Sequence, residues 1–304
     1  MRIARASAVT DTGRRRLSNE DAFVCAPPLF AVADGMGGAQ AGELASRLAA
    51  AALEERTAGL RGEEAVNALV QRANDRVFRR SVSDPAATGM GTTVTVVLVD
   101  EQAGTASIGH VGDSRAYRIR SNRLEQLTDD HSLVAELVRS GRLTQEEADQ
   151  HPHRSVITRV LGTDEAVEVD THTIAMEPGD LFLICSDGLS AMVPNDTIQR
   201  LVAGADGDLD AAAEALVAAA NAAGGEDNVT VLLVAVEEGE PEYDVAATPA
   251  APGDRDEPLP HAAAPDAGSI RRTGPGAGGR LPALLLIVVL LALAALLVYW
   301  GLAR

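Results

Sequence analysis

The sequence predicts an α+β fold made of layers of strands and paired helices. Two observations indicate this class. Short apolar runs typical of strands follow one another in blocks, and amphipathic helical patterns come in pairs between those blocks. A regular alternation of strand and helix would instead indicate a parallel sheet. Hydrophobic residues make up 46% of the chain and aromatic residues only 3%, so we expect a core of Ala, Val, Leu and Ile.

The predicted elements follow one another through the first 237 residues. Strands are predicted at residues 6–13, 22–28, 29–35, 92–100, 104–112, 114–120, 166–174, 179–188 and 228–237. Helices are predicted at residues 42–56, 63–81, 129–141, 143–150, 194–204 and 209–225. A hairpin turn is expected at Ser121 and Asn122, and Thr144 with Glu147 has the pattern of a capping box.

Composition divides the chain into a folded domain at 1–237, a linker and a membrane span. Residues 238–280 are rich in Pro, Ala, Gly and acidic residues, which predicts a disordered linker. Residues 281–300 carry no charge and would span roughly 30 Å as a helix, which predicts a transmembrane helix before a short tail at 301–304. A buried soluble helix is the alternative. Arginines are concentrated before the span, so the sequence predicts a single-pass protein of the cell membrane with its large domain in the cytoplasm.

Net charge and cysteine content argue against several classes of protein. A formal net charge of −18 argues against a nucleic-acid-binding protein, although bound metal ions could still let an acidic site handle phosphate. The two cysteines, Cys25 and Cys185, lie in predicted strands, and we expect both to be buried small hydrophobic residues. Neither begins a Cys-x5-Arg phosphate loop, because Ala31 and Ala191 stand where the arginine would be.

Several aspartates lie at the predicted ends of strands. They are Asp21, Asp34, Asp113, Asp187 and Asp227, and most have glycine close by. Each one alone could be an ordinary turn residue. Together they could converge in one cleft, where divalent cations would relieve the repulsion between the carboxylates. Oxygen ligands suit Mg²⁺ or Mn²⁺ better than zinc, so the sequence predicts a magnesium or manganese site.

A series of motifs resembles one known family. In chain order they are RRRLSNED, VADGMGG, GTTVTVV, GHVGDSRAY, LTDDHS, HPHRSVITRVLG, LICSDGL and GEDNVTV. The series resembles that of the metal-dependent protein phosphatases, the phosphatase 2C (PPM) family, and above all its bacterial Ser/Thr phosphatases that act opposite membrane Ser/Thr kinases. The resemblance covers roughly residues 5–236. It implies a central antiparallel β-sandwich flanked by helices, in α/β/β/α layers, with two metal ions at one end.

The resemblance also implies roles for individual acidic residues. Asp34 resembles the carboxylate that bridges two Mg²⁺ or Mn²⁺ ions, and Gly35 offers its carbonyl oxygen. Asp187 and Asp227 resemble ligands of the first ion. Glu20 and Asp21 resemble ligands of the second ion, bound directly or through water. Asp113 matches a residue that binds a third, weaker ion in bacterial members, and Asp130 is a weaker candidate for the same role. The two ions lower the pKa of a bridging water, so that hydroxide attacks phosphorus directly.

Other positions bear on substrate binding and proton transfer. Arg16 matches the arginine that holds the substrate phosphate, which suits a guanidinium fork, although a structural salt bridge is the alternative. Met36 stands where some members have a histidine that protonates the leaving group, so that proton must come from elsewhere. His131 and His153 are candidates, and structural or surface roles are the alternative for both. The segment from about Arg139 to Gly162 occupies the place of the family's flap.

The resemblance implies hydrolysis of phosphoserine and phosphothreonine in proteins. Expected partners are phosphoproteins, including membrane Ser/Thr kinases and their substrates, and the membrane through the C-terminal helix. Two alternatives stay open. One is a catalytically silent scaffold that binds phosphoproteins, and the other is a partner-switching phosphatase for one small regulatory protein.

Overall fold

The computed structural model describes residues 1–241 except residues 38, 56–58 and 60. The strands are β1 (Arg2–Asp11), β2 (Asp21–Ala26), β3 (Leu29–Met36), β4 (Gly91–Thr92), β5 (Val94–Asp100), β6 (Thr105–Val111), β7 (Arg115–Arg120), β8 (Arg123–Gln126), β9 (Asp170–Ala175), β10 (Leu181–Cys185) and β11 (Val229–Glu237). The helices are α1 (Ala39–Glu54), α2 (Gly62–Ser83), α3 (Leu133–Arg139), α4 (Gln145–Asp149), α5 (Asp187–Ser190), α6 (Asn195–Gly204) and α7 (Leu209–Ala222).

The strands form two antiparallel sheets. The first sheet has the order β1-β11-β10-β7-β8, so the first and last strands of the domain are neighbours. The second sheet has the order β2-β3-β5-β6-β9, and β4 pairs with the end of β3. Every strand pair in both sheets is antiparallel.

Three hydrophobic clusters hold the layers together. The inner faces of the two sheets share one cluster, in which Phe30 and Val97 of the second sheet meet Phe182 and Leu232 of the first. Helices α1 and α2 cover the outer face of the second sheet, and α6 and α7 cover that of the first. The α+β prediction, with two antiparallel sheets and flanking helices, is confirmed. The central strands read as continuous apolar runs because both of their faces are covered.

Local predictions also hold, with one exception. Ser121 and Asn122 both have positive φ, as a tight hairpin turn requires, and the capping box of Thr144 and Glu147 is formed. The prediction for Cys25 was wrong, because its side chain is exposed, whereas Cys185 is buried. Cys25 lies on β2, the edge strand of the second sheet, next to the turn that joins β2 to β3.

No helix among the described residues is long and apolar enough to cross a membrane. The predicted linker and the predicted span at 281–300 lie outside the described residues, apart from 238–241, and both stay predictions.

Candidate metal centre

The predicted acidic residues come from the ends of strands in both sheets. Asp21 opens β2 and lies directly opposite Asp34 of β3. Asp187 follows β10 as the first residue of α5, and Asp227 precedes β11. Asp113 lies in the turn between β6 and β7. Antiparallel pairing brings these strand ends to the same end of the sandwich, so five carboxylates from distant parts of the sequence face one region.

Asp21 joins the two sheets. Its Oδ2 accepts hydrogen bonds from Ser186 Oγ at 2.8 Å and from Thr230 Oγ1 at 2.6 Å, and both donors belong to the first sheet or its connection to α5. Ser186 Oγ in turn accepts the backbone N–H of Thr230 at 2.9 Å. The carboxylate of Asp21 is therefore held in one orientation by two hydroxyl groups.

The backbone around Asp34 is equally constrained. Its carbonyl accepts Thr92 Oγ1 and the N–H of Thr93, both at 2.8 Å, and its own N–H donates to Thr93 Oγ1 at 3.1 Å. Gly35 follows where no other residue fits, because a Cβ there would lie 2.1 Å from the carbonyl oxygen of Gly42 and 2.7 Å from that of Glu20. The glycine requirement at this position is thus steric.

Burial and charge repulsion raise the pKa values of four of these acids: Asp21, Asp34, Asp113 and Asp187. Burial is the largest cause at each of the four, and neighbouring carboxylates add to it. The pKa of Asp187 is raised to about 6, that of Asp21 to about 7 and that of Asp113 to about 8. The pKa of Asp34 is raised well above its usual range by burial and by the charges of the other members of the group. Without added positive charge, the group therefore favours protonated carboxyls.

Three buried carboxylate oxygens have no hydrogen-bond partner within the described part of the chain: Asp21 Oδ1, Asp113 Oδ1 and Asp187 Oδ1. Buried polar atoms are nearly always paired, so three unpaired oxygens at one end of the fold indicate that another group belongs there. Among the described residues, no set of three His, Cys, Asp or Glu side chains forms a ready-made metal site by itself. Hard oxygen donors in this number nevertheless fit Mg²⁺ or Mn²⁺ completed by water.

Glu20 is buried, and burial raises the pKa of its carboxyl. Its backbone N–H donates to Asn228 Oδ1 at 2.8 Å. The amide of Asn228 also donates to the carbonyls of Thr12 and Ser18, both at 2.9 Å. One asparagine thus fixes the loop that carries Arg16 and Glu20.

Arg16 and Asp227 lie against each other, with Arg16 Nη2 2.7 Å from Asp227 Oδ2. The Arg16 side chain is 46% exposed, so part of its guanidinium faces solvent beside the acidic group. The other oxygen of Asp227 accepts the N–H of Asn228 at 2.8 Å. The salt bridge considered as an alternative for Arg16 is present, and it places the guanidinium at the edge of the centre.

The remaining candidates are placed elsewhere. Asp130 makes a two-point ion pair with Arg115, at 2.7 and 2.8 Å, and is already neutralised there. His153 is exposed and contacts the ring of His151. His131 is buried and bonded through both ring nitrogens, so its ring has no free N–H to donate, whereas the role of His153 stays a prediction.

Sequence reasoning missed the polar residues that hold the acids. Ser186, Thr230 and Asn228 all lie within the motifs quoted above, but nothing in a single sequence separates them from ordinary strand-end residues. Only the pairing of β10 with β11, and the packing of the first sheet against the second, shows what these residues contact.

Comparison with known proteins identifies the family. Residues 12–232 match the family model described as Protein phosphatase 2C. The chain is 40% identical over 237 residues to the serine/threonine phosphatase stp of Listeria welshimeri, covering 74% of this chain and 93% of that protein. It is 38% identical over 256 residues to the protein phosphatase PhpP of Streptococcus pneumoniae, covering 78% and 99%.

Solved structures agree with this result. The serine/threonine phosphatase PstP/Ppp of Mycobacterium tuberculosis has a TM-score of 0.72 and 38% identity, over 77% of this chain and 99% of that chain. The catalytic domain of PstP in complex with 2 manganese ions has a TM-score of 0.70 and 36% identity, over 77% and 98%. The chain therefore belongs to the protein phosphatase 2C family and is a protein-serine/threonine phosphatase.

Proposed function

We propose that the strand-end acids hold two divalent cations, Mg²⁺ or Mn²⁺, and that this centre hydrolyses phosphoserine and phosphothreonine in proteins. The observation that carries the proposal is the group of buried, unpaired carboxylate oxygens beside Arg16. The assigned ligands are Asp21, Asp34, Asp187 and Asp227 with the carbonyl of Gly35, and Glu20 through water. Asp113 is proposed to hold a third, weaker ion.

The chain's own residues bind and orient the substrate around this centre. When bound, the ions supply Lewis acidity and a hydroxide nucleophile near neutral pH. Arg16 lies at the exposed edge of the acidic group, where its remaining N–H groups can donate to phosphate oxygens. The carboxylate of Asp21 is oriented by the hydroxyl groups of Ser186 and Thr230, so it needs little rearrangement to bind an ion. At Asp34 the hydroxyl groups of Thr92 and Thr93 fix the backbone that carries the side chain.

The test is hydrolysis of a phosphothreonine peptide by the full chain in detergent, with Mn²⁺, with Mg²⁺ and with a chelator. Wild type is compared with Asp34→Asn, which removes the charge but keeps the shape of the side chain. Asp196→Asn is the matched control, because Asp196 is an exposed carboxylate of α6 paired with Arg200. We expect metal-dependent turnover in wild type and control, and loss of turnover in Asp34→Asn.

Two results would overturn the proposal. Turnover that survives the chelator would remove the metal requirement, and no turnover with either ion in folded wild type would favour the silent scaffold. A panel of unrelated phosphopeptides tests the partner-switching alternative, since a phosphatase dedicated to one small protein would leave the panel untouched.

We also propose that residues 281–300 anchor the domain to the cytoplasmic face of the cell membrane, near membrane Ser/Thr kinases and their substrates. The support is the uncharged sequence of this segment and the arginines before it. A linker of 238–280 would let the domain reach on the order of 35 Å from its anchor and raise its effective concentration there.

Deleting residues 281–304 tests the anchor. We expect unchanged activity on a small phosphoester and slower dephosphorylation of a membrane kinase in cells. Equal cellular rates with and without the segment would show that the anchor is not needed.

A further inference from the structure

His131 is a buried histidine, 3% exposed, that contacts the turn bearing Asp113. Its backbone N–H donates to the carbonyl of Gly112 at 2.7 Å. The N–H of Gly112 donates back to His131 Nδ1 at 3.0 Å. Both backbone groups of Gly112 are therefore bonded to one residue that lies 19 positions away.

The ring of His131 is fixed from its other side by an ion pair. Because Nδ1 accepts from Gly112, the neutral ring carries its proton on Nε2, which donates to Asp170 Oδ2 at 3.1 Å. Asp170 Oδ1 accepts from Arg159 Nη1 at 2.6 Å. We call His131, Asp170 and Arg159 the histidine brace. Burial, the largest influence, lowers the pKa of His131, so the neutral form persists at physiological pH.

The backbone of His131 and its neighbours is also hydrogen-bonded to the predicted flap. The carbonyl of His131 accepts the N–H of Thr158 at 2.8 Å. Ser132 pairs with Ile157, and the N–H of Leu133 donates to the carbonyl of Val156 at 2.9 Å. His131 and the two residues after it therefore contact residues 156–158 of the predicted flap, and the other contacts of His131 reach Gly112.

The turn that the brace holds has little freedom of its own. Gly112 has a φ of +115°, and a Cβ there would lie 2.5 Å from the side chain of Thr93. On the other side of Asp113, Ser114 is held by Thr93 Oγ1 at 2.8 Å and by Thr95 Oγ1 at 2.9 Å. Asp113 thus lies between two fixed residues, and its Oδ1 is one of the unpaired buried oxygens.

We propose that His131 is a positioning residue that sets the orientation of Asp113 and links it to the flap. The inference rests on the proposed function, because it takes Asp113 as the ligand of the weaker third ion. Asp170 and Arg159 act through His131 by fixing its tautomer and ring plane. Partners that orient a metal ligand typically change metal affinity by about 10- to 100-fold when removed.

The experiment compares His131→Ala and His131→Asn with wild type in the full chain. Asparagine keeps an acceptor oxygen close to the position of Nδ1, so it can still bond Gly112, whereas alanine cannot. His172→Ala is the control, because His172 lies on β9, the strand of Asp170, outside the brace. One readout is hydrogen exchange of the Gly112 amide in the metal-free protein, and the second is the Mn²⁺ concentration for half-maximal activity.

We expect His131→Ala to exchange the Gly112 amide at least about tenfold faster and to need about tenfold more Mn²⁺, with kcat largely recovered at saturating Mn²⁺. His131→Asn should restore most of both properties, and His172→Ala should match wild type. Faster exchange with an unchanged Mn²⁺ requirement, in a protein whose wild type is metal-dependent, would overturn this inference and leave the proposed function intact.

Asp170→Asn keeps the test decisive if His131→Ala does not fold. The partner of Asp170, Arg159, also forms an ion pair with Glu168 at 3.5 Å, so replacing Asp170 does not leave the arginine without a counter-charge. We expect the same two changes in the same direction and of smaller size. A folded Asp170→Asn with wild-type exchange and wild-type Mn²⁺ requirement would contradict the brace. Loss of metal dependence in wild type would instead contradict the proposed function.

Discussion

The two ends of strand β10 carry two aspartates with opposite environments. Asp180 precedes the strand and is 1% exposed. Both of its carboxylate oxygens bond Arg120 of the neighbouring strand, at 2.6 and 2.7 Å, and one also accepts the N–H of Glu177 at 2.9 Å. Asp187 follows the strand, and its buried Oδ1 has no partner among the described residues.

The comparison separates a carboxylate that is neutralised within the fold from one that we propose binds a metal ion. Burying a carboxylate is unfavourable unless positive charge and hydrogen bonds compensate it. At Asp180 the compensation comes from the chain itself. At Asp187 the charges of Asp227 and Asp130 add to the effect of burial, and Arg16 offsets them only in part, so the pKa stays raised. We propose that a bound cation supplies the remaining positive charge. Four predictions test this contrast.

The largest expected effect is the loss of catalysis in Asp187→Ala. Removing a ligand of ions that contribute several kcal/mol to the transition state should lower kcat/KM about a thousandfold, which corresponds to about 4 kcal/mol. Because one repelling charge is removed, the metal-free protein should be no less stable. Peptide hydrolysis and thermal unfolding measure the two quantities. Activity near wild type would show that Asp187 is not a ligand.

Asp180→Ala should lower the stability of the fold and leave catalysis unchanged, which is the reverse of Asp187→Ala. Arg120 would lose its two-point partner, and the free energy of unfolding should fall by about 3 kcal/mol. Activity per folded molecule should stay near wild type, because Asp180 lies at the opposite end of β10. Denaturant unfolding at fixed pH gives the free energy. Asp196→Asn, which alters an exposed ion pair, is the control and should leave the free energy of unfolding close to the wild-type value.

Stability of the metal-free protein should fall as pH rises from about 4, the ordinary pKa of an unfolded aspartate, to about 8, the highest of the folded values. Folding raises the pKa of Asp187 to about 6, of Asp21 to about 7 and of Asp113 to about 8. Carboxyls that bind protons more tightly when folded stabilise the fold at low pH and lose that contribution as pH passes through the folded pKa. Thermal unfolding in chelator measures this trend. Saturating Mn²⁺ should remove it, and a flat metal-free profile would contradict the assigned shifts.

The smallest effect is expected for Ser186→Ala. It tests Asp21, which lies between the two cases because one carboxylate oxygen is hydrogen-bonded and the other has no partner among the described residues. Asp21 Oδ2 would lose one of its two hydroxyl donors and keep Thr230. We expect a loss of about 1 kcal/mol in unfolding free energy and a modest rise in the Mn²⁺ requirement. Replacing Ser46, whose hydroxyl donates to the carbonyl of Glu43 within α1, provides the comparison. Equal effects at both serines would show that Ser186 has no special role.

The contrast between these aspartates also shows what the sequence could predict. Strand-end position and neighbouring glycine predicted the placement of Asp21, Asp34, Asp113 and Asp187 at one end of the fold. Both Asp180 and Asp187 flank the same apolar run, so the sequence could not tell which one is neutralised. That distinction depends on strand register, which places Arg120 beside Asp180.

Two other residues have surroundings that the sequence could not predict, because these too depend on contacts between distant segments. Asp130 was considered as a metal ligand, but the β7–β8 hairpin brings it to Arg115. Cys25 was expected to be buried because its run is apolar, yet it lies on an edge strand. Local pattern thus predicts which segments form strands and helices, whereas side-chain partners depend on contacts between distant segments.

The pairing of the first strand with the last bears on when the enzyme becomes active during synthesis. Asn228 binds the loop from Thr12 to Glu20 only once β11 has joined β1 and β10. These contacts bridge more than 200 residues and must form late, since long-range pairing waits for the whole intervening chain. A nascent chain that still lacks residues 227–237 therefore has neither Asp227 nor an ordered Arg16 loop. The phosphatase cannot act on its surroundings until the last strand has left the ribosome.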